Sequence, residues 1–163
     1  MIILGVDPGY ATIGYGVVEK TNKGLAAVDY GVIKTPPDEM IAVRLAMIDE
    51  AMTSIMNKFA PDCVSVEELF FNTNITTGIK VAHARGVILL NAVKRCGKLY
   101  EYTPLQIKQA LTGNGRADKH QMQYMVRMVL HLASVPKPDD AADALAAAIC
   151  HANMSGASER EVK

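Results

Sequence analysis

Four acidic side chains stand where apolar segments end or begin. Asp7 closes Ile2-Ile3-Leu4-Gly5-Val6, Glu67 closes Cys63-Val64-Ser65-Val66, and Asp140 with Asp143 opens an alanine-rich stretch. A carboxylate beside a buried segment is costly to desolvate unless a cation, a salt bridge or solvent meets it. Oxygen ligands delivered by separate segments are what Mg2+ or Mn2+ prefer, so a divalent metal site is the reading to test. Each acid also has a plainer explanation. Asp140 and Asp143 lie three apart, on one helical face within the first turn or so, where the helix dipole favours carboxylates and Asp139 or Asp140 could cap the helix. Asp7 before Pro8-Gly9 fits an Asx-type turn, and Glu67 fits a solvated strand terminus. Ligands nevertheless gather at the carboxyl ends of strands in open α/β sheets, and both Asp7 and Glu67 stand at such an end. Glu68 leaves the register open, because a one-residue slip would turn it inward in place of Glu67.

The elements that must position these acids follow from hydrophobic period. Ile2 to Val6 is a continuous apolar run stopped by Asp7-Pro8-Gly9, as expected of a central buried strand. Ile13 to Val18 and Leu25 to Thr35, separated by Thr21-Asn22-Lys23-Gly24, predict an antiparallel continuation that Pro36-Pro37 ends. From Asp38 onward Ile41, Leu45, Ile48, Met52, Ile55 and Phe59 recur at steps of four and three, marking a helix that stops before Pro61. Val64 to Val66 reads as a second buried strand, about Thr76 to Arg95 as a helix, and Leu99 to Tyr102 as a strand. Helices are expected over Lys119 to Leu132 and Ala141 to Ile149. The order is of βαβ type with a parallel portion. Residues 1–154 are expected to form one domain, and 155–163 a frayed tail.

Composition narrows the function. The chain has 163 residues, half of them apolar, enough for a substantial core, and a formal net charge of zero, so no global field draws it to nucleic acid or membrane. Any polyanion contact must be local. Cys63, Cys96 and Cys150 are odd in number and lack zinc-site spacing, which suggests reduced thiols in a cytoplasmic protein. The opening carries no secretory signal, and no apolar run is long enough to span a bilayer, so no membrane partner is expected.

Several motifs in order carry a family resemblance. They are Gly5-Val6-Asp7-Pro8-Gly9, Gly14-Tyr15-Gly16, Val66-Glu67-Glu68-Leu69-Phe70, Ala84-Arg85-Gly86, Gly113-Asn114-Gly115-Arg116-Ala117-Asp118-Lys119 and Asp140-Ala141-Ala142-Asp143-Ala144-Leu145-Ala146. Over residues 2 to about 153 the chain resembles the RuvC family of bacterial Holliday junction resolvases. The resemblance implies an α/β, ribonuclease H-like fold with a mixed five-stranded sheet and helices on both faces. It implies a homodimer in which each subunit nicks one of two opposed strands of a four-way DNA junction, working with the RuvA–RuvB branch-migration complex. By position, Asp7, Glu67, Asp140 and Asp143 become catalytic, metal-binding acids. Two Mg2+ per subunit, replaceable by Mn2+, are expected, with Asp7 bridging them.

The DNA-binding surface is expected in the middle of the chain, where Lys80, Arg85, Lys94, Arg95, Lys98, Lys108, Arg116, Lys119 and Arg127 are opposed there only by Glu101 and Asp118. Lys94, Arg95 and Lys98 read as solvated helix-end charges, whereas Lys108 and Lys119 resemble the family's phosphate contacts. Phe70 is expected to stack on an opened base, and Asn72 could read a base edge; Phe71 reads as packing. His83, His120, His131 and His151 share no ligand spacing, and only His120 adjoins the expected DNA path. Two other functions compete. An ATPase of the actin and sugar-kinase type needs a second similar domain for which there is no room, and a branched-DNA-binding module without cleavage would lack an acid that is present here.

Overall fold

The computed structural model describes residues 1–69 and 75–154; the tail expected over 155–163 lies outside these residues. Five strands form one mixed sheet: β1 (Ile2–Asp7), β2 (Thr12–Thr21), β3 (Gly24–Lys34), β4 (Cys63–Glu67) and β5 (Leu99–Tyr102), in the order β3-β2-β1-β4-β5. β1 runs antiparallel to β2 and β2 to β3, while β1, β4 and β5 are parallel. The helices are α1 (Ile41–Phe59), α2 (Ile75–Arg95), α3 (Pro104–Thr112), α4 (Lys119–Val129) and α5 (Asp139–Met154).

The pleat sorts side chains into two cores. Leu4, Val6, Val64 and Val66 face α1 and α2, while Ile3, Cys63, Tyr100 and Tyr102 face α3, α4 and α5. Helices on both faces and a mixed five-stranded sheet are as the resemblance implies.

Three features differ from expectation. The buried edge of α1 is Arg44, Ile48, Met52 and Met56, a straight four-residue repeat, and Ile41 is 40% exposed. The stripe is rotated because Arg44 turns inward to hydrogen-bond Thr35 and Tyr10. α4 ends at Val129, where His131 takes a positive φ and breaks the helical path toward Leu132. Last, α3 was not anticipated, although Thr103 and Gln106 form a reciprocal capping box with Pro104 at its start.

α5 lies almost on the sheet. A Cβ at Gly5 would sit 2.0 Å from the Ala144 carbonyl oxygen, and one at Gly14 would sit 1.9 Å from that of Asp140. The alanine-rich face of α5 answers these glycines, and the Ser65 hydroxyl donates to the Ala147 carbonyl at 2.8 Å. This close seat carries the acids of α5 over the strand ends.

Candidate metal centre and nucleic-acid interface

Two adjacent parallel strands deliver the first two acids. Val6 pairs with Val66, so Asp7 and Glu67 follow side by side at the carboxyl ends of β1 and β4. Parity decides between the two glutamates. Cys63, Ser65 and Glu67 alternate toward α5, and Glu67 lines a cavity of about 360 Å³ with Asp7, Lys108, Lys119, Met122 and Asp143. Glu68 stands one step out of phase, exposed, with its backbone N–H on the Tyr102 carbonyl.

Charge is crowded there. Burial, then Glu67, Asp143 and Asp140, pushes the Asp7 carboxyl up to about 7 against the opposing pull of Lys119. Burial and Asp143 raise Glu67 to about 7, with Lys108 opposing. Asp143 is also raised, chiefly by burial, while Lys119 pulls the other way. Asp140 belongs to the same group, since its charge bears on both Asp7 and Asp143 and its backbone lies over Gly14, the residue paired with Asp7.

Lys119 forms ion pairs at this cluster, with Nζ 3.6 Å from Asp143 and 3.2 Å from Asp139. Burial disfavours its charge, but Asp143 and Asp139 outweigh that and hold its ammonium above the ordinary value. Asp139 is pulled down to about 2 by hydrogen bonds from Lys137, Lys119 and Gln123, so it stays ionised where its neighbours resist ionisation. It begins α5 but does not line the cavity.

No three acids, histidines or cysteines among the described residues already converge as an ion cage. The donor set nonetheless fits a hard divalent cation: oxygen ligands, little hydration, and mutual repulsion that a cation would relieve. Asp7, Glu67, Asp140 and Asp143 are the residues that would hold it.

The remaining expected contacts separate. Lys108 lies on α3 at the cavity wall, and exposed Arg116 lies in the α3–α4 loop, its backbone N–H on Asn114 Oδ1. Arg85 is half-buried and ion-paired with Glu101, and burial pushes its guanidinium below the ordinary value. Phe70 and Asn72 lie outside the described residues. Sequence reasoning passed over the Tyr102 hydroxyl, which meets His151 Nδ1 at 2.8 Å between β5 and α5; isolated positions so far apart carry no local signal. Arg44 was likewise missed, since a charge on an otherwise apolar stripe reads as its margin.

The family model for the crossover junction endodeoxyribonuclease RuvC matches residues 3–151. The chain belongs to the RuvC family. A RuvC from Alkaliphilus oremlandii is 50% identical over 159 residues, 98% of this chain and 97% of that protein. The Thermus thermophilus RuvC structure superposes with a TM-score of 0.92 at 35% identity, covering 99% of this chain and 100% of that one. A second T. thermophilus RuvC structure, in complex with a Holliday junction substrate, aligns with a TM-score of 0.91 at 32% identity, over 99% and 100% of the two chains. At 99% coverage the likeness of fold extends across the described elements.

Proposed function

We propose that this chain is a metal-dependent endonuclease that resolves four-way DNA junctions by hydrolysing one phosphodiester on each of two opposed strands. The observation that carries the reading is the cavity in which Asp7, Glu67 and Asp143 meet Lys108 and Lys119, in a chain matched to RuvC along its length. Its acids suit the role of ligands, and among the described residues lining it there is no serine, threonine or cysteine to act as a nucleophile, which suits direct attack by water. Bound Mg2+ ions, two per subunit and replaceable by Mn2+, would lower the pKa of that water and stabilise the departing 3′ oxygen. Asp7, Glu67, Asp140 and Asp143 would hold them, with Asp7 expected at the middle of the set because it comes from the central strand. Lys108 and Lys119 reach the same cavity from the α3–α4 side and would offset charge developing on the phosphate. Phe70 stacking and base contacts by Asn72 remain part of the reading on sequence grounds.

A homodimer follows from the need for paired cuts, and α2 offers a face for it. Ile79, Leu90 and Val93 are each more than half exposed, and Gly86 between them has open space above it. These positions share one helical face, and a second copy of the same helix would bury it. RuvA–RuvB is the motor expected to supply the junction in the cytoplasm. Among the described residues no helix is long and apolar enough to cross a membrane.

The decisive experiment incubates the protein with a mobile synthetic four-way junction, with and without Mg2+, and maps the cuts. Symmetric Mg2+-dependent nicks are expected, and binding without nicks under any divalent metal would overturn the assignment.

A further inference from the structure

Arg44 is 5% exposed, yet among the described residues it has no carboxylate partner. Its Nε donates to Thr35 Oγ1 at 2.9 Å and its terminal nitrogen to the Tyr10 carbonyl at 3.3 Å. A buried charge met only by neutral acceptors is costly, and what offsets it here is a ring. The guanidinium carbon lies 3.7 Å from the centroid of Tyr10, a close cation–π contact. The Thr35 hydroxyl also donates to the Tyr10 carbonyl at 2.8 Å, and the Thr35 N–H to the Ala11 carbonyl at 3.0 Å. The turn that follows Asp7 is therefore fastened to the end of β3, with the Arg44 guanidinium packed on the Tyr10 ring.

A second cation shares the ring. Lys80, exposed near the start of α2, places Nζ 5.8 Å from the Tyr10 centroid and, among the described residues, has no acid within ion-pair distance. Two positive charges over one ring without an acid to neutralise them form a locally uncompensated site in a chain of zero net charge. Its position is informative. Tyr10 packs with the α1–α2 core, whereas Lys108 and Lys119 come from α3 and α4 on the other side of the sheet. Asp7 lies between, at the end of the central strand.

We propose that Lys80, poised over the Arg44-braced ring of Tyr10, is a second phosphodiester-binding subsite. It grips the DNA backbone on the α1–α2 side of the acids while Lys108 and Lys119 hold the α3–α4 side. The ligand is a DNA phosphate flanking the one to be cut. This deepens the junction-cleaving reading and rests on it, but its test is a binding measurement that does not need cleavage.

Equilibrium binding of a four-way junction, without divalent metal and over a series of salt concentrations, would be compared for the whole protein and three variants. Lys80→Ala should weaken binding about 3- to 10-fold near 0.1 M salt and lower the magnitude of the log–log salt slope by about one, as loss of one phosphate contact requires. Tyr10→Leu should reproduce part of the loss, and Tyr10→Phe, which keeps the ring, should restore it. Lys94→Ala, at the far end of α2, should bind as the parent does. A Lys80→Ala slope equal to the parent's would overturn the subsite, as would equal losses in Tyr10→Leu and Tyr10→Phe. Absence of nicking by the parent in Mg2+ would instead sink the enzymatic reading and leave the salt slopes interpretable.

Discussion

At the scale of single residues, the acids are neighbours that repel each other and are poorly hydrated. Asp7→Asn and Glu67→Gln should each abolish nicking while leaving junction binding intact or improved, since a negative charge is lost where a phosphate must approach. Glu68→Gln should retain activity, because the pleat points Glu68 away from the cavity; a gel assay on a labelled junction decides. The same crowding sets a pH dependence. Asp7 and Glu67 titrate near 7 in the folded protein, above the ordinary carboxyl range they would have when unfolded. Between about pH 4 and pH 7 the folded chain binds more protons than the unfolded chain, so metal-free stability should fall as pH rises through that window and stay low above it. Asp7→Asn should recover on the order of 2 kcal/mol at pH 8 and almost nothing at pH 4, measured by urea unfolding in a chelator. Identical pH profiles for the two proteins would show that Asp7 is not strained by burial. Much of this was legible beforehand, since an acid that ends an apolar run announces its own desolvation. Arg44, Tyr10 and His151 were not, because their partners are distant in sequence and their value lies in who meets them.

At the scale of elements, α5 on the sheet is the joint that makes the centre. Its alanines and the glycines opposite allow backbone contact, so Asp140 and Asp143 can reach Asp7 and Glu67 with short side chains. Gly14→Ala should force α5 outward, costing roughly 1–3 kcal/mol or more, and should weaken Mn2+ binding by calorimetry even at temperatures where the protein stays folded. Retention of full Mn2+ affinity in a folded variant would show that the seat does not set the acid spacing. The strands and long helices were readable because period-two and period-3.6 patterns survive in a single sequence. α3 escaped because its nine residues are too few to establish a stripe, although its capping box stood in plain letters at Thr103 to Gln106. The rotated face of α1 escaped because only tertiary hydrogen bonds make an arginine a core residue.

At the scale of the whole molecule, a chain of zero net charge can meet a polyanion only by concentrating charge locally, and the proposed dimer would present two centres at one junction. Leu90→Glu combined with Val93→Glu should turn the dimer into a monomer by analytical ultracentrifugation and replace paired nicks by single ones. A stable dimer carrying both changes would move the interface elsewhere. The fold class was legible from element order and ordered motifs, and a homodimer was expected from the resemblance alone, but the α2 face proposed for it was not legible, since an exposed apolar stripe is visible only after the other helix faces have been assigned to the core. The separation of the acids along the chain carries a consequence for the order of folding. Asp7 lies on β1, whereas Asp140 and Asp143 lie on α5, which packs back against that strand. The cluster is therefore a long-range contact, and a partly folded chain in which α5 has not docked should neither gather the four carboxylates nor desolvate Asp7 and Glu67. Affinity for a divalent ion should then switch on with tertiary docking rather than with the earlier formation of strands and helices.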